Sequence, residues 1–197
     1  MNNIKIKPWV GNNYSSPKYN SHSILILGES HYGENPKVSS DCTINLVQGY
    51  INRALDRSTF WTHVAQFVSG IHHTSKEFDR NEIWNDFGFY NYIQSIVGNE
   101  PRVETELKQY RESEDAFFQV IEENKPEIVI ALGSRLFSRM YPLYKKKISI
   151  NGKTKGRLYE INDDEFICAS VRHPSAGFSY KKYHPMIKEC EEWINKT

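Results

Sequence analysis

The sequence predicts an α/β domain built on a mainly parallel sheet with helices on both faces. Three observations predict it. Short apolar runs at 23–27 and 127–132 each stop at a glycine, as buried parallel strands do. Segments with apolar residues at helical spacing alternate with such runs. Polar, turn-forming groups gather just past three strand ends, at 28–33, 133–134 and 173–179, where open α/β sheets collect ligands.

Each element has its own signal. Residues 1–22 are polar and carry Gly, Asn, Ser and Pro, which predicts an irregular lead-in; residues 23–197 then form a single domain. The first strand is 23–27. Ile44, Val47, Ile51 and Leu55 predict a helix over 43–55, and Phe60, Val64, Phe67 and Val68 a second over 59–68. A short helix covers 81–86. The aromatic run 87–93 reads as a strand. A long charged helix spans 104–123, ended by Lys125-Pro126. The run 127–132 is a strand, followed by a helix over 134–144. Asn151-Gly152 predicts a hairpin turn. Strands at 157–161 and 166–171 follow, the second stopping at Arg172-His173-Pro174, and a helix over 183–195 closes the chain.

Composition limits the function. The 197 residues, 39% hydrophobic and 13% aromatic, suffice for one full core. A formal net charge of +1 excludes a broad basic face, so a nucleic-acid surface has to be a local patch. Cys42, Cys168 and Cys190 are scattered, without C-x-x-C spacing, which argues against a disulfide framework and a cysteine-held metal. His72-His73 lacks acidic or cysteine ligands at metal spacing. No cofactor or metal is expected. No apolar run approaches the ~20 residues of a membrane span, and the N-terminus lacks a signal-peptide run. The expectation is a reduced, cytoplasmic protein with no membrane contact and no evident obligate protein partner.

Two motifs carry candidate chemistry. Gly28-Glu29-Ser30-His31-Tyr32-Gly33 follows the first strand, and glycine lets backbone turn sharply beside a ligand. The alternative is an ordinary strand-to-helix turn. His173-Pro174-Ser175 follows the last strand; a histidine there can donate to a developing anion, or be a satisfied surface residue before a turn.

These motifs, in this order, resemble the uracil-DNA glycosylase superfamily. Its first motif has the form G-Q-D-P-Y or G-E-x-P-G, and its second is H-P-S; between them lie a strand bearing a recognition asparagine and an apolar strand ending in glycine. Asn91, in Phe89-Tyr90-Asn91-Tyr92, looks like that asparagine, and Ala131-Leu132-Gly133-Ser134 like that strand end. The resemblance spans about 23–195. It implies a three-layer α/β/α domain around a central, mainly parallel four-stranded sheet. It also implies DNA as partner, with a base extruded into a pocket and its N-glycosidic bond hydrolysed. Glu29, His173 and Ser30 then occupy the catalytic positions: Glu29 beside the sugar cation, His173 donating to the departing base. Asn91, Tyr32 and His31 hold the base. Gly28, Gly133, Ser134, Pro174, Ser175, Phe178 and Lys181 contact the DNA, with Phe178 either wedging into the stack or packing in the core. The chain departs from the pattern at Ser30, where Asp or Asn is frequent, and at His31, where proline is usual.

Two other classes remain open. Ile24-Leu25-Ile26-Leu27-Gly28-Glu29-Ser30 also looks like the nucleophile turn of G-D-S esterases, with Ser30 as nucleophile and His173 or His184 as base. Against it, Tyr32 replaces the last glycine of a G-x-S-x-G elbow, and Ser170 stands where those enzymes carry the aspartate of Asp-x-x-His. A non-catalytic nucleotide or nucleic-acid binder on the same fold is the third.

Overall fold

A computed structural model describes residues 3–33, 39–55, 58–99, 103, 105–150 and 154–196. Its elements run β1 (Trp9–Val10), β2 (Ile24–Gly28), α1 (Cys42–Ile51), α2 (Thr59–Ser69), α3 (Arg80–Trp84), β3 (Gly88–Asn91), α4 (Leu107–Arg111) and α5 (Glu114–Asn124). Then follow β4 (Ile128–Leu132), α6 (Ser134–Arg139), β5 (Lys146–Ile150), β6 (Thr154–Ile161), β7 (Asp164–Val171), α7 (Tyr180–Tyr183) and α8 (Pro185–Ile194).

The protein is α/β, but its sheet is larger than the four strands expected. Seven strands lie in the order β1-β3-β2-β4-β7-β6-β5. The four in the middle, β3-β2-β4-β7, pair in parallel. The other three are antiparallel additions at the two edges. Two of those additions escape a reading of periodicity. Trp9–Val10 is only two residues long, inside the lead-in. In β5 the two lysines at its start face solvent while Ile148 and Ile150 face inward, so the basic run hides the alternation; charged side chains suit an exposed edge, which they shield from pairing. The Asn151-Gly152 turn expected between β5 and β6 lies outside the described residues.

Alternation along the strands builds a core on each face. Ile24 and Ile26 of β2, with Ile128, Ile130 and Leu132 of β4, pack under α1, α2, α3 and α8. Leu25, Leu27, Val129 and Ala131 face the other way, under α4, α5 and α6. Each such side chain contributes about 1.5–3 kcal/mol on burial, and in β2 and β4 every residue is buried on both faces.

Three helices differ from the expectation for local reasons. The helix expected over 104–123 is broken: α4 ends at Arg111 and α5 begins at Glu114. Ser113 sits between, its hydroxyl donating to Gln109 O at 2.8 Å and accepting from Gln94 N at 3.1 Å, so a side chain competes with the helical ladder. The helix after β4 stops at Arg139, where Met140 turns extended ahead of Tyr141-Pro142. The last helix is interrupted at His184, because Pro185 can only open a new helix. No helix among the described residues is long and apolar enough to cross a membrane.

Candidate functional site

Parallel pairing places the ends of β2, β3, β4 and β7 on one edge of the sheet. Gly28 and Asn91 are direct partners there. A cavity of about 610 Å³ opens beside them, within the usual range for small-molecule pockets. Glu29, Asn91 and His173, distant along the chain, all line it, as do Gly28, Ser30, His31, Tyr32 and Ser175. Leu46, Phe60, Trp61, Phe89 and Ala176 supply apolar wall. Five expected residues are not in the lining: Gly133, Ser134, Pro174, Phe178 and Lys181.

The loop after β2 is stitched to the loop after β3. Tyr92 N donates to Gly28 O, Ile93 N to Glu29 O, Val97 N to His31 O, and Gly33 N to Gly98 O, all at 2.9–3.1 Å. Gly28 is required by close approach: a Cβ there would lie 2.0 Å from Asn91 Oδ1. Asn91, 7% exposed, lines the cavity with its Oδ1 against Gly28 and its Nδ2 against His31.

His31 is a prop for Asn91 rather than a base contact at the mouth. Its ring is 4% exposed, and Nε2 accepts from Asn91 Nδ2 at 3.0 Å, with the Thr43 hydroxyl at 3.0 Å from the same nitrogen. Asn91 Nδ2 also lies 3.4 Å from Nδ1, which stands 3.8 Å from Cys42 Sγ. Burial lowers its pKa to about 4, so the ring is neutral at neutral pH. Asn91 keeps its carbonyl oxygen and one N–H for a ligand.

Glu29 does not have the role expected of it. Oε1 accepts from Thr105 Oγ1 at 2.8 Å and from the Tyr110 hydroxyl; Oε2 accepts from Arg135 Nε at 3.1 Å and Nη2 at 2.7 Å. A carboxylate offers about four acceptor sites, and four donors fill them, which leaves none for a catalytic water. Burial pushes its pKa up, but the bonds from Arg135, Tyr110 and Thr105 outweigh that and hold it below the ordinary value. Burial, then the bond to Glu29, pushes the Tyr110 hydroxyl up to about 12.

Ser30 Oγ is buried and has no hydrogen-bond partner among the described residues. It is neither activated by a histidine nor open to a substrate, so it does not fit the part of nucleophile or catalytic base. Tyr32, 38% exposed, stands at the cavity mouth.

The loop after β7 is a self-contained turn. Ala176 N donates to His173 O at 2.9 Å, and Ser175 N donates to His173 Nδ1 at 3.2 Å. The second bond makes Nδ1 an acceptor and puts the proton of the neutral ring on Nε2. Both amides are thus spent on His173, and the expected phosphate grip by them reduces to the Ser175 hydroxyl. The ring lies 5.6 Å from Phe60, centroid to centroid. Gly133, at φ +112°, caps α6 and sits behind His173: a Cβ there would lie 3.7 Å from that of His173. Pro174 is buried, its carbonyl accepting from His63 Nδ1 at 3.0 Å.

Phe178 is partly buried and packs against the core, outside the cavity lining. It stacks on Tyr183 at 5.2 Å and meets Phe67 edge-on at 5.9 Å. Lys181 is exposed on α7, and Ser134 exposed at the start of α6, neither reaching the cavity. Sequence reasoning missed the residues that hold the site: Thr105, Tyr110 and Arg135 on Glu29, Thr43 on His31, and Phe60 and Trp61 in the wall. Their spacing marks them only as helix faces. Among the described residues no cluster of three His, Cys, Asp or Glu side chains could hold a metal ion. The sequence matches no protein-family model and no curated protein.

Proposed function

We propose that this protein extrudes a base from DNA into the cavity after β2, β3 and β7 and hydrolyses its N-glycosidic bond, as uracil-DNA glycosylase-like domains do. One observation carries the reading. Asn91 and His173 line one apolar-walled cavity beside adjoining strand ends. The parallel run β3-β2-β4-β7 between helical layers supports a fold of that kind.

The chemistry follows from those groups. Asn91 offers a carbonyl and an N–H to the Watson–Crick edge of a base, while Phe60, Phe89 and Trp61 surround its faces. As the bond from C1′ to the base nitrogen breaks, its electron pair moves to the base and the sugar becomes cationic. His173 Nε2–H donates to the base oxygen, where negative charge collects. Water adds to C1′ and releases its proton to solvent, since Glu29 has no acceptor site left for it. The Glu29 charge stays near the cavity, largely countered by Arg135.

The saturated carboxylate also favours a second reading, a binder that holds a base without cleaving it. One experiment separates them. Excess protein is incubated with single- and double-stranded oligonucleotides carrying uracil, hypoxanthine or thymine mismatches, and abasic sites are revealed with alkali. Strand breaks at one modified base are expected. Binding with no break in any oligonucleotide would refute the glycosylase and leave the binder.

A further inference from the structure

A second cavity, of about 740 Å³, lies on the other side of α2, between that helix, the end of α1 and the start of α3. The first cavity takes Phe60 and Trp61 from α2; the second takes Thr59, Thr62, His63 and Gln66 from the same helix. Its lining is polar, and Arg53, Arg80 and His73 bring basic groups against a single acid, Asp79, among the described residues. Asp79 is already engaged, capping α3 by accepting from Glu82 N at 3.0 Å.

Gln66 marks this groove as more than surface relief. Gln66 is 3% exposed overall and lines the groove, where its amide meets solvent. An amide open to the groove offers a ligand both a donor and an acceptor. His63 is a second sign. Its Nδ1 donates to Pro174 O, which leaves Nε2 of the neutral ring as an acceptor beside Gln66. The same bond ties the groove to the His173 turn. Phe78 adds an aromatic surface, and the Arg80 guanidinium is positioned by Tyr50, donating to its carbonyl at 3.2 Å and lying 4.5 Å over its ring.

We propose that this groove is a second subsite, which takes the nucleotide next to the extruded one on the same strand. The base edge meets Gln66 and His63, and the phosphate meets Arg53 and His73. This rests on the base-extrusion reading for the first cavity, and it predicts that sequence context is read through α2.

The test uses the whole chain and a fluorescein-labelled single-stranded octanucleotide without any modified base. Anisotropy is followed from low to moderate salt. Arg53→Glu is expected to weaken binding about tenfold and to flatten the dependence of log affinity on log salt by about 0.7, the loss of one single-strand phosphate contact. Gln66→Leu is expected to weaken binding about fivefold while its thermal midpoint stays level, because the amide meets the groove and not a protein partner. A merely structural Gln66 would lower the midpoint instead. Wild-type affinity and salt slope in both variants, or no binding by the wild type, would overturn the subsite. Base release is scored separately on a uracil-bearing octanucleotide. Weakened binding in the variants with no release from any protein refutes the glycosylase and leaves the subsite standing. Release with unchanged binding in both variants refutes the subsite alone.

Discussion

The turns after β2 and after β7 border one cavity but are built in opposite ways. After β2, nearly every polar group is committed inward. Glu29 is filled by four donors, His31 is buried against Asn91 and Thr43, and Ser30 Oγ is enclosed. After β7, the Ser175 and Ala176 amides bond back to His173, His63 holds Pro174 O, and His173 lines the cavity. The difference teaches that a motif rich in functional side chains can be a scaffold. Under the proposed reaction, chemistry concentrates on His173, and the denser motif serves to fix Asn91.

The sharpest way to break this contrast is to remove the ring. His173→Ala should lower base release by about 10²–10³-fold, the usual cost of a lost donor to a developing anion, with the thermal midpoint little changed. Single-turnover release at saturating protein measures it. A midpoint drop of many degrees would show that the β7 turn is a scaffold too.

Glu29→Gln should act in the reverse sense. It leaves Arg135, itself 38% exposed, facing a neutral amide and breaks a network whose carboxylate is 10% exposed, at a cost of about 1–3 kcal/mol. Its folded pKa lies below the unfolded value of about 4.3. The stabilisation is therefore full above that value and is lost as pH falls through the folded pKa. Urea midpoints measured between about pH 7 and pH 3 should fall for the wild type below pH 4 and fall less for Glu29→Gln. Equal acid slopes would refute the structural role.

Gly28→Ala tests how the scaffold positions Asn91. The new Cβ would press on Asn91 Oδ1 at 2.0 Å and on Phe89 Cζ at 3.1 Å, so the amide has to swing away. Base affinity should drop by about 1–3 kcal/mol, the cost of a lost polar contact in a buried site, read by titration with a base-bearing oligonucleotide. Retained affinity would mean that Asn91 does not hold the base.

What was legible in the sequence follows the same division. The buried strands 24–28, 128–132 and 166–171 announce themselves, because a two-faced core demands unbroken apolar runs. The edge strands do not: β1 is too short, and β5 opens on two lysines before its buried isoleucines. Gly28, Glu29 and His173 could be picked out because they sit where strands end, whereas Asn91, inside the strand expected over 87–93, was marked only by the family resemblance. The partners of Glu29 could not, since Thr105, Tyr110 and Arg135 come from α4, from α6 and from the segment before α4, and nothing local links them to residue 29. Whether Glu29 is a base or a post depends on that count of donors, which is a property of the folded arrangement.

Ser30→Ala is the smallest change and the one that tests the esterase alternative. A nucleophilic serine needs an open Oγ within reach of a histidine nitrogen, and this hydroxyl is enclosed without a partner among the described residues. Its removal should leave base release within about twofold. Stability should stay level or rise by up to about 1 kcal/mol, as a buried hydroxyl without a hydrogen bond is itself unfavourable. If Ser30→Ala instead abolished release, or if a fluorophosphonate labelled wild-type Ser30, the β2 turn would be the reacting centre and its inward-facing polar groups would have to open in solution.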